Sequence, residues 1–345
     1  MSDRQPVLIV DAGGTLVTRT RPGLAGRVVR AVRAAGDDRP EAEVRAAVLT
    51  AADPDACLRR LGPLDPRARA AVLAELTDDP GDAVILPGAE ELLDTAARLG
   101  WRVIVATNAG PGTPPLPEPL ARHIDTVVES RGYGLVKDDP RFWARLREEE
   151  KVDARAALVV GDDLAADQRA PEAAGLQTRL VGGDGGATAA LTAQLRAAGP
   201  RPQEAAAVVA GRREHFAGRD MIVAPHLAPL VVRVTRARVR LAAGAAGAAA
   251  VVVRRRALPP AVVAASGALP DLAWLHLPRD RRPYQAPAEL RALLDAEGLS
   301  LDVLSASDRR HALAMIREAR SSTAVSERMA DLVLFLRDRG KGGVG

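Results

Sequence analysis

Four short segments hold the residues whose types and spacing could do chemistry. Residues 8–16 read LIVDAGGTL: an apolar run, Asp11, then a turn containing Gly13 and Gly14 and closed by Thr15. The run reads as a buried strand, and an aspartate at the carboxyl end of such a strand is where open α/β sheets place their chemistry. The two glycines let the backbone fold closely around a ligand. Thr107 and Asn108 end a second apolar run, IVATN. Lys137 stands in GLVKDDPRFW, in a chain whose only other lysines are Lys151 and Lys341. Asp162, Asp163 and Asp167 follow a third run, in VVGDDLAADQ. Each segment alone also fits a plain structural role. Thr107 could be a strand-end hydroxyl, Asp167 a helix N-cap, and GDD a turn.

The elements that must position these groups alternate along the chain. After the first strand, residues 22–80 read as helices punctuated by Pro, Asp and Gly, a helical module set between strands. From residue 84 to 182, strands alternate with helices through short loops. That pattern predicts an α/β fold: a Rossmann-like parallel sheet with helices on both faces. Residues 183–218 are rich in Gly, Ala and Pro and read as a linker. Beyond them, residues 219–340 predict a second, smaller α/β domain. In it, Leu227, Leu230, Val231, Val234 and Leu241 fall on one face at helical spacing, and LSLDVLSAS (299–307) reads as a strand.

Taken together and in order, the four segments resemble the haloacid dehalogenase superfamily over residues 6–182. Asp11 with Gly14-Thr15 resembles its first motif, D-x-D-G-T-L, with Gly13 replacing the second aspartate. Thr107 resembles the second motif and Lys137 the third, with Asp138 where proline is usual. Asp162 and Asp167 resemble the fourth, with Ala174-Gly175 at the expected distance. The resemblance implies that the helical module, about residues 18–83, caps the site. It also implies a catalytic trio: Asp11 as nucleophile, Lys137 pairing with it and with phosphoryl oxygens, and Thr107 donating a hydrogen bond to one of them. Gly13, Gly14, Thr15 and Asn108 would line the substrate. A magnesium ion would be held by Asp11, the Gly13 carbonyl and Asp162, with Asp163 and Asp167 in an outer shell. Oxygen ligands suit that hard cation.

The implied reaction is hydrolysis of a small phosphorylated substrate through an aspartyl phosphate. Gly13 cannot protonate a leaving group, so the implied substrate has a good one. Two other readings stay open: a catalytically degenerate binding module, and a 2-haloacid dehalogenase, whose branch of the family also lacks the second aspartate. Bulk properties narrow the setting. Residues 1–218 carry 28 basic against 32 acidic residues, and residues 219–345 carry 20 against 12. The eight aromatics are not interleaved with the arginines, which argues against base stacking and makes nucleic acid an unexpected partner. One cysteine, no long apolar run and no signal-peptide layout at the start point to the cytoplasm and away from a membrane.

Overall fold

Val7–Val10 (β1) is apolar at every position and fully enclosed, as a central strand of a parallel sheet must be. Its side chains alternate between two cores. Leu8 and Val10 pack on one face of the sheet, and Val7 and Ile9 on the other. The computed structural model describes residues 5–78, 80–182, 185–216, 218–231, 236–244, 246–255, 258–265, 268–277, 286–304, 306–317, 319 and 321–341. Two short strands, Val17–Arg19 (β2) and Ala83–Ile85 (β3), pair with each other as an antiparallel ribbon. At three residues each, they fall below what alternation can reveal in the sequence.

Arg102–Thr107 (β4), Thr126–Glu129 (β5), Ala157–Gly161 (β6) and Gln177–Leu180 (β7) complete a five-stranded sheet in the order β5-β4-β1-β6-β7, all parallel. The chain leaves β1 toward β4 and β5 on one side, then crosses to β6 and β7 on the other. The strand order therefore reverses at β1, and a crevice opens beyond its carboxyl end. Asp11 stands at that point.

Between β2 and β3 the chain builds four helices: Leu24–Ala34 (α1), Glu41–Leu49 (α2), Pro54–Leu61 (α3) and Pro66–Thr77 (α4). Asp53 and Asp65 cap α3 and α4, accepting hydrogen bonds from Ala56 N (2.6 Å) and Ala68 N (2.8 Å), with proline in the first position of each helix. The module has a core of its own, including Val28, Val32, Val44, Val48, Cys57, Leu58 and Val72. Burial there pushes the Cys57 thiol up to about 11, so it is a packing residue rather than a nucleophile.

The remaining helices of the first unit are Ala89–Arg98 (α5), Glu118–Ala121 (α6), Ser130–Tyr133 (α7), Pro140–Glu149 (α8), Ala170–Ala173 (α9) and Gly186–Ala198 (α10). Residues 183–218 do not behave as a linker. They contain α10 and the strands Ala207–Val209 (β8) and Arg213–Phe216 (β9). Leu191, Leu195 and Ala198 lie on one face of α10 and join the same core as β1, which the small-residue composition concealed.

The strands Arg219–Val223 (β10), Arg236–Ala243 (β11), Ala246–Arg255 (β12), Leu258–Ala264 (β13) and Ala273–His276 (β14) follow. With β8 and β9 they form a seven-stranded sheet ordered β8-β14-β11-β12-β13-β10-β9, antiparallel throughout. In β11, buried Val239 and Leu241 alternate with exposed Arg238 and Arg240, so a strand replaces the expected helical spacing. Residues 232–235 of that stretch, Val234 among them, lie outside the described residues.

The chain divides at Pro278, well beyond the expected 219 boundary: Met1–Pro278 is one unit and Arg279–Gly345 the other. The second unit holds Ala288–Ala296 (α11), Ala306–Arg317 (α12) and Ser322–Lys341 (α13), around Leu290, Leu294, Leu313, Ile316 and Leu332. The expected strand at 299–307 is instead a single 3-10 turn, Leu301–Val303, running into α12; Ser305 lies outside the described residues. Among the described residues, no helix is long and apolar enough to cross a membrane.

Within the first unit the two sheets are joined by polar contacts as well as apolar ones. The fully buried Gln177 of β7 donates to Ala157 O (2.9 Å) and Val208 O (3.1 Å) and accepts from Ala210 N (3.0 Å). Trp274 of β14 meets Trp101 at 5.6 Å between ring centroids. Gln177→Leu removes three buried hydrogen bonds at once, although Val208 O keeps its contact with His226 Nε2 (2.9 Å). We expect a loss of about 2–4 kcal/mol in urea denaturation, and a loss below about 1 kcal/mol would show the join to be apolar in character.

Candidate active site

The turn after β1 is built by the backbone. Leu16 N and Val17 N both donate to Ala12 O at 2.9 Å, and Gly14 N donates to Val17 O at 2.8 Å. Gly14 has φ +82°, and a Cβ there would lie 2.1 Å from Asp162 Oδ2. Glycine is required at that position on both counts. Gly161, the last residue of β6, has a similar constraint: its Cβ would sit 2.2 Å from the Asp167 carboxylate. These two positions bring the turn after β1 and the turn after β6 against two carboxylates. Gly13 differs, since a Cβ there would meet nothing within 4 Å.

The Lys137 side chain is buried, with its ammonium group hydrogen-bonded to Asp11 Oδ1 and 2.6 Å from Asp167 Oδ1. Three supports hold this lysine. Asn108 Oδ1 accepts from Lys137 N (3.0 Å), Trp143 Nε1 donates to Lys137 O (2.7 Å), and the Trp143 ring lies 5.8 Å from Nζ. Asn108 thus positions the loop bearing the lysine. Trp143 and Gly161 escaped the sequence reading. The tryptophan was legible only as text around Lys137, and the glycine only as the residue before GDD.

Asp11, Asp162 and Asp167 bring carboxylate oxygens within 4.8 Å of one another. Asp167 therefore belongs to the cluster itself; its Oδ2 also accepts from Asp163 N at 3.0 Å. Asp163 turns away, accepting from Ala165 N (2.7 Å) and Ala166 N (2.8 Å) to cap the helical turn Leu164–Arg169. Thr15 Oγ1 makes a long contact with Asp162 Oδ1, 3.4 Å.

The electrostatics follow from three carboxylates facing one lysine, with Asp11, Asp167 and Lys137 buried and Asp162 exposed. Burial pushes the Asp11 carboxyl up to about 7; Lys137 opposes the rise, and the charges of Asp167 and Asp162 add to it. Burial and Asp167 also raise Asp162. For Lys137, burial acts against the charged form, but Asp11 and Asp167 outweigh it and hold its pKa above the ordinary value. The all-oxygen donor set and its uncompensated negative charge fit a hard divalent cation such as magnesium.

Beside the turn after β1 lies a cleft of about 1450 Å³. Gly13, Gly14, Thr107 and Asn108 line its floor, and Leu24, Arg45, Leu49 and Leu76 of the helical module line its roof. Thr107 is the final residue of β4, beside β1 in the sheet. Of the site residues expected from the sequence, Gly13, Gly14, Thr107 and Asn108 line the cleft, while Asp11, Lys137, Asp162 and Asp167 form the charged cluster.

A family model for haloacid dehalogenase-like hydrolases matches residues 6–175, and that part of the chain belongs to this family. No curated protein matches the chain. Similar solved structures include a 2-haloacid dehalogenase from Pseudomonas syringae pv. Tomato DC3000 (21% identity, 50% of this chain and 85% of that one, TM-score 0.35). Another is CbbY from Rhodobacter sphaeroides in complex with xylulose-(1,5)bisphosphate (24% identity, 52% and 87%, TM-score 0.33). A third is a haloacid dehalogenase-family enzyme from Bacteroides thetaiotaomicron with magnesium and inorganic phosphate (12% identity, 52% and 95%, TM-score 0.33).

The Asp11 carboxyl titrates near 7 in the folded chain against 3.8 for the ordinary group. The folded state therefore holds this proton more tightly, a stabilising contribution fully present below pH 3.8 and lost as pH rises through 7. Asp11→Asn removes the ionising group. With metal chelated, the variant should exceed wild type in stability at pH 8 by a few kcal/mol, and by about nothing below pH ~4. Urea denaturation at the two pH values checks both the sign and the window.

Proposed function

We propose that this protein is a magnesium-dependent phosphohydrolase acting through Asp11 on a small substrate with a good leaving group. One observation carries the reading: a buried ammonium, Lys137, joins Asp11 to a carboxylate cluster packed against the Gly13-Gly14 turn that lines a large cleft. An acidic cluster alone repels a phosphoryl group, and a lysine among the acids lessens that repulsion where the new bond forms. Magnesium held by Asp11, Asp162 and the Gly13 carbonyl would neutralise the remaining charge and polarise the phosphoryl oxygens.

In this scheme an Asp11 oxygen attacks phosphorus while the bond to the leaving oxygen breaks, giving an aspartyl phosphate and a departing anion. Water then attacks the phosphorus, releasing phosphate and restoring the Asp11 carboxylate. Lys137 keeps Asp11 oriented and faces the phosphoryl oxygens, and Thr107 donates a hydrogen bond to one of them. The helical module above the cleft limits water and substrate size. With glycine at position 13, no side chain there protonates the leaving oxygen, so aryl and acyl phosphates are the expected substrates. The open space around Gly13 is available to a larger leaving group.

Purified protein should hydrolyse an aryl phosphate only with magnesium, and Asp11→Asn should abolish that turnover. Wild type and Asp11→Asn equally inactive across a phosphate panel, with no magnesium binding, would instead mark a binding scaffold. Halide release from a 2-haloacid without added metal would mark a dehalogenase. Gly13→Asp is the sharper variant, because its Cβ enters empty space at a position without a positive φ. Supplying the missing acid should raise the rate on alkyl phosphates by roughly 10²–10⁴-fold, and no gain would mean that the rest of the site is not arranged for phosphoryl transfer.

A further inference from the structure

Five arginines line the cleft, and four of them have a carboxylate partner. Arg21 pairs with Asp78 (2.6 Å), Arg27 with Glu75 (2.8 Å), Arg45 with Glu41 (3.5 Å) and Arg131 with Glu129 (2.6 Å). Arg19 is the exception. Among the described residues no carboxylate lies within ion-pair distance of it, and its one hydrogen bond is a long contact, 3.4 Å, from Nη1 to Gly81 O. A guanidinium has five N–H donors, so this contact leaves most of them free for another acceptor. Arg19 is half-buried, and burial lowers its pKa with no carboxylate opposing the effect. Holding a cation this way is costly unless an anion arrives to meet it.

Its place in the chain directs it to the site. Arg19 ends β2, two residues beyond Val17, so both side chains lie on the same face of the strand. Val17 is the residue whose carbonyl holds Gly14 N in the turn after Asp11. Arg19 also lines the same cleft as Gly13 and Gly14, on the ribbon at the base of the helical module.

Building on the proposed phosphohydrolase, we infer that Arg19 selects substrates bearing a second anionic group, a carboxylate or a further phosphate, beyond the reacting phosphoryl. The planar fork of guanidinium matches either oxyanion bidentately. The neutral remainder of the substrate then spans the space between Arg19 and Asp11.

Calorimetric binding of non-hydrolysable phosphonates, with magnesium present, tests this without requiring turnover. The probes are 3-phosphonopropionate, its carboxamide, propane-1,3-bisphosphonate and methylphosphonate. Wild type should bind the carboxylate or the bisphosphonate at least about tenfold more tightly than the carboxamide, and whichever of the two is tighter identifies the distal group. Arg19→Gln should bring that ratio close to one while leaving carboxamide affinity nearly unchanged, and Arg19→Lys should keep part of it. No preference in wild type, or a preference that survives in Arg19→Gln, overturns the role of Arg19 while leaving the phosphate site standing. An equal loss for charged and neutral probes in both variants also overturns it, since that is the mark of a structural role. If no phosphonate binds at all, the phosphohydrolase reading falls, and the assignment of Arg19 falls with it.

Discussion

A buried ammonium between two buried carboxylates is the contact on which the site depends. Lys137 comes from the loop before α8, Asp11 from the end of β1, and Asp167 from the helical turn after β6. Each would be costly to bury alone, and together they offset part of one another's desolvation. The balance is incomplete, because Asp162 adds a third carboxylate and Asp11 remains well above its ordinary pKa. The free protein thus stores an excess of negative charge where a divalent cation would remove it. Asn108 and Trp143 hold the lysine's backbone from two further places in the chain, so contacts from several distant segments meet at one residue.

That meeting requires the backbone to come very close. Gly14 and Gly161 leave room for Asp162 and Asp167 that a methyl group would occupy. Such requirements are local, and they bind distant parts of the sequence to one geometry. Gly13 stands beside Gly14 without any such requirement. The two neighbours are identical as residue types and opposite in constraint.

Much of this was legible in the sequence where the physics is local or periodic. Continuous apolar runs ending in Asp11, Thr107 and Asp162 identified parallel strands, and the Pro, Asp and Gly punctuation of residues 22–80 marked a helical module. What escaped was set by tertiary pairing. β2 and β3 are three residues each and are strands only because they find one another. The alanine-rich α10 reads as linker until Leu191 and Leu195 meet the β1 core. The stretch from Leu227 to Leu241, expected as one helical stripe, contains a 3-10 helix, Pro225–Val231, and the strand β11, because short apolar patterns fit both periods. Asp163 and Asp167 could not be told apart by type; only the backbone turn decides which one caps and which one joins the cluster.

The ribbon of β2 and β3 has one more consequence. Both ends of the four-helix module pass through two hydrogen-bonded strands, so entry and exit lie one strand spacing apart, about 5 Å. A short loop could bridge that gap, and the module carries its own apolar interior. It is a detachable part. One such insert could be exchanged for another during evolution without disturbing the carboxylates below. Arg19, on the ribbon rather than in the helices, would stay with the body through every exchange.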